Sequence, residues 1–126
     1  SFFGKRRKEG KAMYARNTIF QIPPDRIEEG VKLYRKSVLP EAKKQKGYCG
    51  DLLLIDNKTG KGNSITFWKT EKDAIANEES LYYQDQLVKF RGFFTDLGRP
   101  IREGYEVRIN TFANLPEKKA AKKAKS

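Results

Sequence analysis

Residues Lys46–Lys69, KGYCGDLLLIDNKTGKGNSITFWK, decide the fold of this chain. Tyr48 to Ile55 is almost continuously apolar apart from Gly50 and Asp51, which marks a strand. Asp56–Asn63 (DNKTGKGN) is rich in residues that tolerate positive φ or bond their own backbone, which marks a turn. Ser64 to Trp68 then alternates small or polar with large apolar residues, the period-two pattern of a second strand. A strand and a helix precede this hairpin, and a helical region and a strand follow it. The order β-α-β-β-α-β predicts a ferredoxin-like α+β fold, an antiparallel sheet with helices on one face.

The flanking elements follow from the same patterns. Met13 to Ile22 is the first strand, with Ala15, Asn17 and Ile19 on one face and Tyr14, Arg16, Thr18 and Phe20 on the other. Pro23-Pro24 ends it. A helix is predicted from about Pro24 to Val38, where Ile27, Val31, Tyr34 and Val38 form one stripe and Pro40 breaks or kinks the helix. Acidic residues lie early in it and basic ones late, as the helix dipole prefers. Thr70 caps a second helix, with a second start at Ser80 and an apolar side from Leu81, Val88 and Phe90. The last strand is placed within Ile101–Phe112.

The chain has 126 residues, 37% of them hydrophobic, which suits one small domain. Two helices cover one face of a four-stranded sheet, so the other face calls for a partner and a homodimer is expected. The net charge is +11, and each of the segments 1–12 and 113–126 contributes +4 of it. The division is therefore a basic N-terminal arm (1–12), a core domain (13–112) and a Lys/Ala-rich basic tail (113–126). Such tails suit an anionic partner: an acidic protein, a lipid surface, or nucleic acid bound without sequence preference.

The single cysteine, Cys49, permits no intrachain disulfide and fits a reducing, cytoplasmic compartment; it is expected to be a small packing residue. With no histidine in the chain, His-Cys metal sites and Ser-His-Asp or Cys-His triads are excluded within one chain, and no metal site is expected. No apolar run approaches the roughly 20 residues that span a bilayer. No signal peptide is visible, and the opening at Ser1 points to a piece removed upstream.

Residues 13–112 resemble the antibiotic biosynthesis monooxygenase (ABM) domain family of dimeric α+β barrels. Four pieces carry the likeness: the opening strand with Asn17, LPEAKKQKGYCG (39–50), SITFWKTEKDAIANEES (64–80), and SLYYQDQLVKFRGFF (80–94) followed by YEVRI (105–109). The resemblance implies a homodimer in which two sheets pack into a barrel, and a pocket in each subunit between sheet and helices. It implies cofactor-free oxidation of aromatic molecules as one activity and haem degradation as another. The haem-degrading branch has an asparagine on the first strand, a tryptophan in the second helix and a histidine beyond. Asn17 matches the first, but Asn77 stands at the second position and Leu87 near the third, so haem degradation is not expected.

Oxidation of an electron-rich phenol needs an aromatic wall, a polar anchor and exclusion of water. The pocket candidates are Asn17, Trp68, Tyr82, Tyr83 and Arg91. Each also has a structural reading. Trp68 can be core beneath the second helix. Asn17 can bond its neighbours on the strand. Adjacent Tyr82 and Tyr83 point about 100° apart, so at most one faces a pocket. Arg91 can make a surface ion pair. The expected function is thus a cofactor-independent monooxygenase acting on a small aromatic molecule. The alternative is a non-catalytic dimeric scaffold docked to an anionic partner through its tails.

Overall fold

The computed structural model describes residues 13–80, 85, 86, 88–94 and 100–112. Four strands, β1 (Met13–Gln21), β2 (Tyr48–Ile55), β3 (Lys61–Trp68) and β4 (Ile101–Val107), form one sheet in the order β2-β3-β1-β4. Every neighbouring pair is antiparallel. This is the predicted ferredoxin-like arrangement, with helices on one face. The basic arm and tail lie outside the described residues.

The β2–β3 turn is tighter than the sequence suggested, because Asp56 closes it by itself. Its Oδ1 accepts from the backbone N–H of Lys58 at 2.8 Å and Thr59 at 3.3 Å. Its own N–H donates to the Lys61 carbonyl at 2.8 Å, so β3 starts at Lys61 rather than Ser64. At the far edge β4 is shorter than expected. Its ladder ends where Val107 meets Met13, and Ile109 beyond it is 83% exposed.

The first helical region continues past Pro40, with an irregular turn just before it, the kink rather than the break of the two expected outcomes. After a 3₁₀ turn (Pro24–Arg26), α1 (Ile27–Leu33) passes into a π-helical turn (Tyr34–Val38) and then α2 (Leu39–Ala42). Proline lacks an N–H and its ring crowds the carbonyl four residues back. The wider turn relieves this, and the Leu39 N–H bonds the Tyr34 carbonyl, five residues earlier. The predicted stripe then faces the sheet. Ile27 is buried, Val31 packs on the core, and Tyr34 and Val38 overhang a cavity.

α3 (Glu71–Glu79) begins as read, with Thr70 Oγ1 accepting from the Asp73 N–H at 3.0 Å. It ends at Ser80. Of the predicted apolar side of this region, Leu81 lies outside the described residues, Val88 is exposed and Phe90 packs inward. Phe90 joins Phe93 of α4 (Arg91–Phe94) in the core with Ile22 and Ile27, and the Arg26 guanidinium sits 4.2 Å above the Phe93 ring.

Cys49 is exposed rather than packed, because the β2–β3 register shifts between Tyr48 and Gly50 and leaves it opposite no residue of β3. Its sulfur turns back toward the Gly47 carbonyl at 3.5 Å. Partial burial of the sulfur, with Asp73 adding and Lys69 opposing, raises the thiol above its ordinary range and keeps it protonated at neutral pH.

Candidate functional site

The strand registers set the floor of the site. Leu53 pairs with Ser64, Ser64 with Thr18, and Thr18 with Arg102, a row across all four strands on the helix side. One step along, Asp51 faces Thr66 and Thr66 faces Arg16. Between this floor and the helices lies a cavity of about 130 Å³. Phe20, Leu53, Trp68 and Phe90 give it apolar walls, and Tyr34 and Val38 overhang it. The Tyr34 hydroxyl bridges roof to floor, lying 3.0 Å from Ser64 Oγ.

The polar groups separate toward the two sheet edges. Asp51, on edge strand β2, accepts from the Tyr48 hydroxyl at 3.1 Å. Arg102, on the opposite edge strand β4, is three strand spacings away, roughly 14 Å. The Arg102 Nε lies 3.0 Å from Glu78 Oε2. The same carboxylate accepts from Arg16 Nε at 2.6 Å and from Arg16 Nη2. Two guanidiniums on one carboxylate leave this end of the cavity positive. They also clamp α3 onto β1 and β4. Next to Glu78, Asn77 is only 8% exposed and lines the cavity.

The sequence-derived candidates fall in different places. Trp68 is 3% exposed and forms a cavity wall, with Tyr48 edge-on to it at 6.2 Å between centroids. Asn17 does not share that cavity. It pairs with Ile65 and points to the opposite sheet face, where its Nδ2 donates to Asn63 Oδ1 at 3.0 Å. Trp68 pairs with Tyr14, so strand parity puts Asn17 and Trp68 on opposite faces of the sheet. Arg91 is exposed on α4 and is not part of the cavity lining. Tyr82 and Tyr83 lie outside the described residues.

Asp51, Tyr34, Arg102 and Asn77 line the cavity although the sequence patterns singled out none of them for it. Tyr34 stood on the predicted stripe, and Asn77 lies one turn beyond Ala74, which is 1% exposed. That i, i+3 spacing was the available signal. Among the described residues no group of three or more His, Cys, Asp or Glu could hold a metal ion. No helix there is long and apolar enough to cross a membrane.

The outward sheet face carries exposed apolar side chains. Leu54, 49% exposed, shares this face with Leu52 on β2, and at the opposite edge, on β4, Ile101 is 59% and Tyr105 51% exposed.

No family model matches the chain. Two uncharacterised proteins of Mycobacterium tuberculosis, from strains CDC 1551 and H37Rv, are each 36% identical over 53 residues. That match takes in 41% of this chain and 24% of each relative, about a quarter of their length. Among solved structures, a monooxygenase of Streptomyces coelicolor in complex with the ligand nanaomycin D superposes with a TM-score of 0.66 at 13% identity, covering 80% of this chain and 89% of that one. A Nitrosomonas europaea protein provisionally named antibiotic biosynthesis monooxygenase gives 0.58 at 18% identity, covering 75% and 88%. A heme-degrading protein of M. tuberculosis gives 0.55 at 13% identity, covering 80% and 97%. At these identities the likeness is one of architecture: the chain carries the ferredoxin-like α+β fold of the antibiotic biosynthesis monooxygenase structures.

Proposed function

We propose that this chain binds a small, electron-rich aromatic molecule in the cavity between sheet and helices and oxygenates it with dioxygen, without a bound cofactor, as one half of a homodimer. The observation that carries the reading is the cavity itself: aromatic and aliphatic walls with a few polar groups set into them, the usual make-up of a small-molecule site. The monooxygenase solved with nanaomycin D shares the fold and supports it.

The chemistry is bounded by atom balance. A phenol oxidised to a para-quinone loses its hydroxyl hydrogen and one ring hydrogen. It takes one oxygen atom from dioxygen, and the other leaves with those hydrogens as water. The walls exclude water from the reacting anion. Asp51 is the one carboxylate in the cavity lining among the described residues, and in this reading it accepts the ring proton. Asp51→Asn is expected to lower turnover about a hundredfold or more with little change in ligand affinity. Dioxygen uptake and quinone absorbance, followed with a panel of one- and two-ring electron-rich phenols, check both points. Binding without dioxygen consumption by any phenol would leave a binding protein and remove the oxygenase.

The second copy covers the outward face in this proposal, since large apolar side chains exposed at both of its edges suit an association site. Leu54→Lys puts a charge on that face and is expected to convert dimer to monomer in sedimentation velocity. An unchanged sedimentation coefficient would place the interface elsewhere. The cytoplasm is the compartment assigned, on the single cysteine. Native mass spectrometry of gently purified protein reads the assembly directly. A dimer with a small co-purified mass supports the cavity reading, and a macromolecular partner lost with residues 1–12 and 113–126 supports docking through the tails.

A further inference from the structure

The Asn77 amide is the anomaly of this cavity. The residue is 8% exposed, its Nδ2 is enclosed, and among the described residues no hydrogen-bond partner meets it. Buried polar groups are nearly always paired, because a donor stripped of water and left without an acceptor destabilises the fold. An apolar side chain of similar size would fill the position at no such cost. The amide is also held in place. Glu78, the next residue on α3, is hydrogen-bonded by Arg16 and ion-paired with Arg102 from two strands, so the helix cannot swing Asn77 out to water without breaking those pairs. Both Asn77 and Arg102 belong to the cavity lining, and both present donors. Among the described residues, this end of the cavity therefore offers the amide no acceptor.

The second constraint is size. The cavity holds about 130 Å³. An apolar protein cavity of roughly 150 Å³ takes one benzene molecule. The enclosed part therefore fits a single aromatic ring, and any larger body must extend through the open side.

We infer that Asn77 is the residue that recognises the ligand, donating from Nδ2 to an acceptor oxygen (a phenol, phenolate or carbonyl) borne on a single aromatic ring that occupies the enclosed cavity. The inference rests on the cavity being a ligand site, and it adds the orientation: the oxygen lies toward α3 and the ring lies against Trp68. It also gives the specificity, because a ring without an oxygen leaves the amide unpaired. Sites built to bond a substrate oxygen reject analogues that lack it for this reason.

The test uses p-cresol and toluene, which differ by one hydroxyl. Neither can form a para-quinone by oxygenation, because the para position of p-cresol is blocked, so binding is read without turnover. The unaltered protein is expected to prefer p-cresol in calorimetric titration. Asn77→Leu is expected to weaken p-cresol about tenfold while leaving toluene within about twofold, the loss set by one hydrogen bond. The same variant is expected to melt at or above the temperature of the unaltered protein, since an unpaired buried donor is gone. Asn77→Ala serves as a second variant should leucine not fit. A direct readout needs no variant: the side-chain amide resonances of Asn77 shift with p-cresol and not with toluene. If both probes bind and the preference survives substitution, or if the amide resonances do not respond, Asn77 is not the recognising residue, and the cavity reading stands without it. If neither probe binds, the cavity reading fails and the inference with it.

Discussion

Trp68→Ala is expected to destabilise the protein by about 3–5 kcal/mol, the range for emptying a buried large aromatic position. The side chain is 3% exposed at the end of β3 and is shared between Tyr48, edge-on at 6.2 Å, and the cavity. Removing it joins new empty volume to an existing cavity, so neighbouring groups have little to collapse onto and the cost falls toward the upper end. The same loss widens the site and removes an aromatic wall, so affinity for p-cresol and toluene is expected to fall together. That separates Trp68, which contacts the ring, from Asn77, which distinguishes the oxygen. Trp68→Phe restores most of the packing and is expected to recover most of both losses. Urea unfolding and calorimetry on the two variants check this. A Trp68→Ala variant within about 1 kcal/mol of the unaltered protein would mean that the wall is not packed as described, since such truncations ordinarily cost several times that.

Gly60→Ala is expected to cost about 3 kcal/mol. Gly60 closes the β2–β3 turn at φ +80°, a region that costs a residue with a Cβ about 1–2 kcal/mol. A Cβ there would also overlap the carbonyl oxygen of Ile22. That approach has a structural purpose. The Ile22 N–H donates to the Gly60 carbonyl at 3.0 Å, and Ile22 is one of the three buried residues at the centre of the core. Relieving the overlap moves either the turn or the end of β1, a forced shift of the kind that adds about 1–3 kcal/mol. Gly92→Ala is the control. Gly92 is exposed and helical, and nothing lies within 4 Å of an added Cβ. It is expected to be neutral or stabilising by up to about 1 kcal/mol. Urea unfolding of the two variants gives the comparison, and similar effects at the two glycines would show that the turn does not constrain the core.

The site was legible in the sequence only where a local pattern pointed inward. The stripe of Ile27, Val31, Tyr34 and Val38 did so, because four apolar or amphipathic residues at helical spacing allow one buried side. β1 did not, because apolar residues occur on both its faces. Alternation separates Asn17 from Thr18 but leaves open which of them the helices cover. That choice was made by pairing: Thr18 lies between Ser64 and Arg102 on the helix side, and Asn17 bonds Asn63 on the other. α3 was silent for the opposite reason. EKDAIANEE has no apolar stripe, so nothing local turns Asn77 inward. Its position follows from the Thr70 cap, the burial of Ala74 and the grip of Arg16 on Glu78, 62 residues apart in the chain.

Local sequence was enough for the order and kind of the elements, the β2–β3 turn and the cap of α3. Each depends on residues within a few positions of one another, where backbone preference and side-chain period act directly. Three-dimensional pairing was needed to settle which sheet face holds the cavity, that Asp51 and Arg102 stand at its two edges, and that the Asn77 amide is enclosed there with no partner among the described residues. Those facts depend on strand register and helix docking between distant segments, and a one-residue change in register would move every strand side chain to the other face.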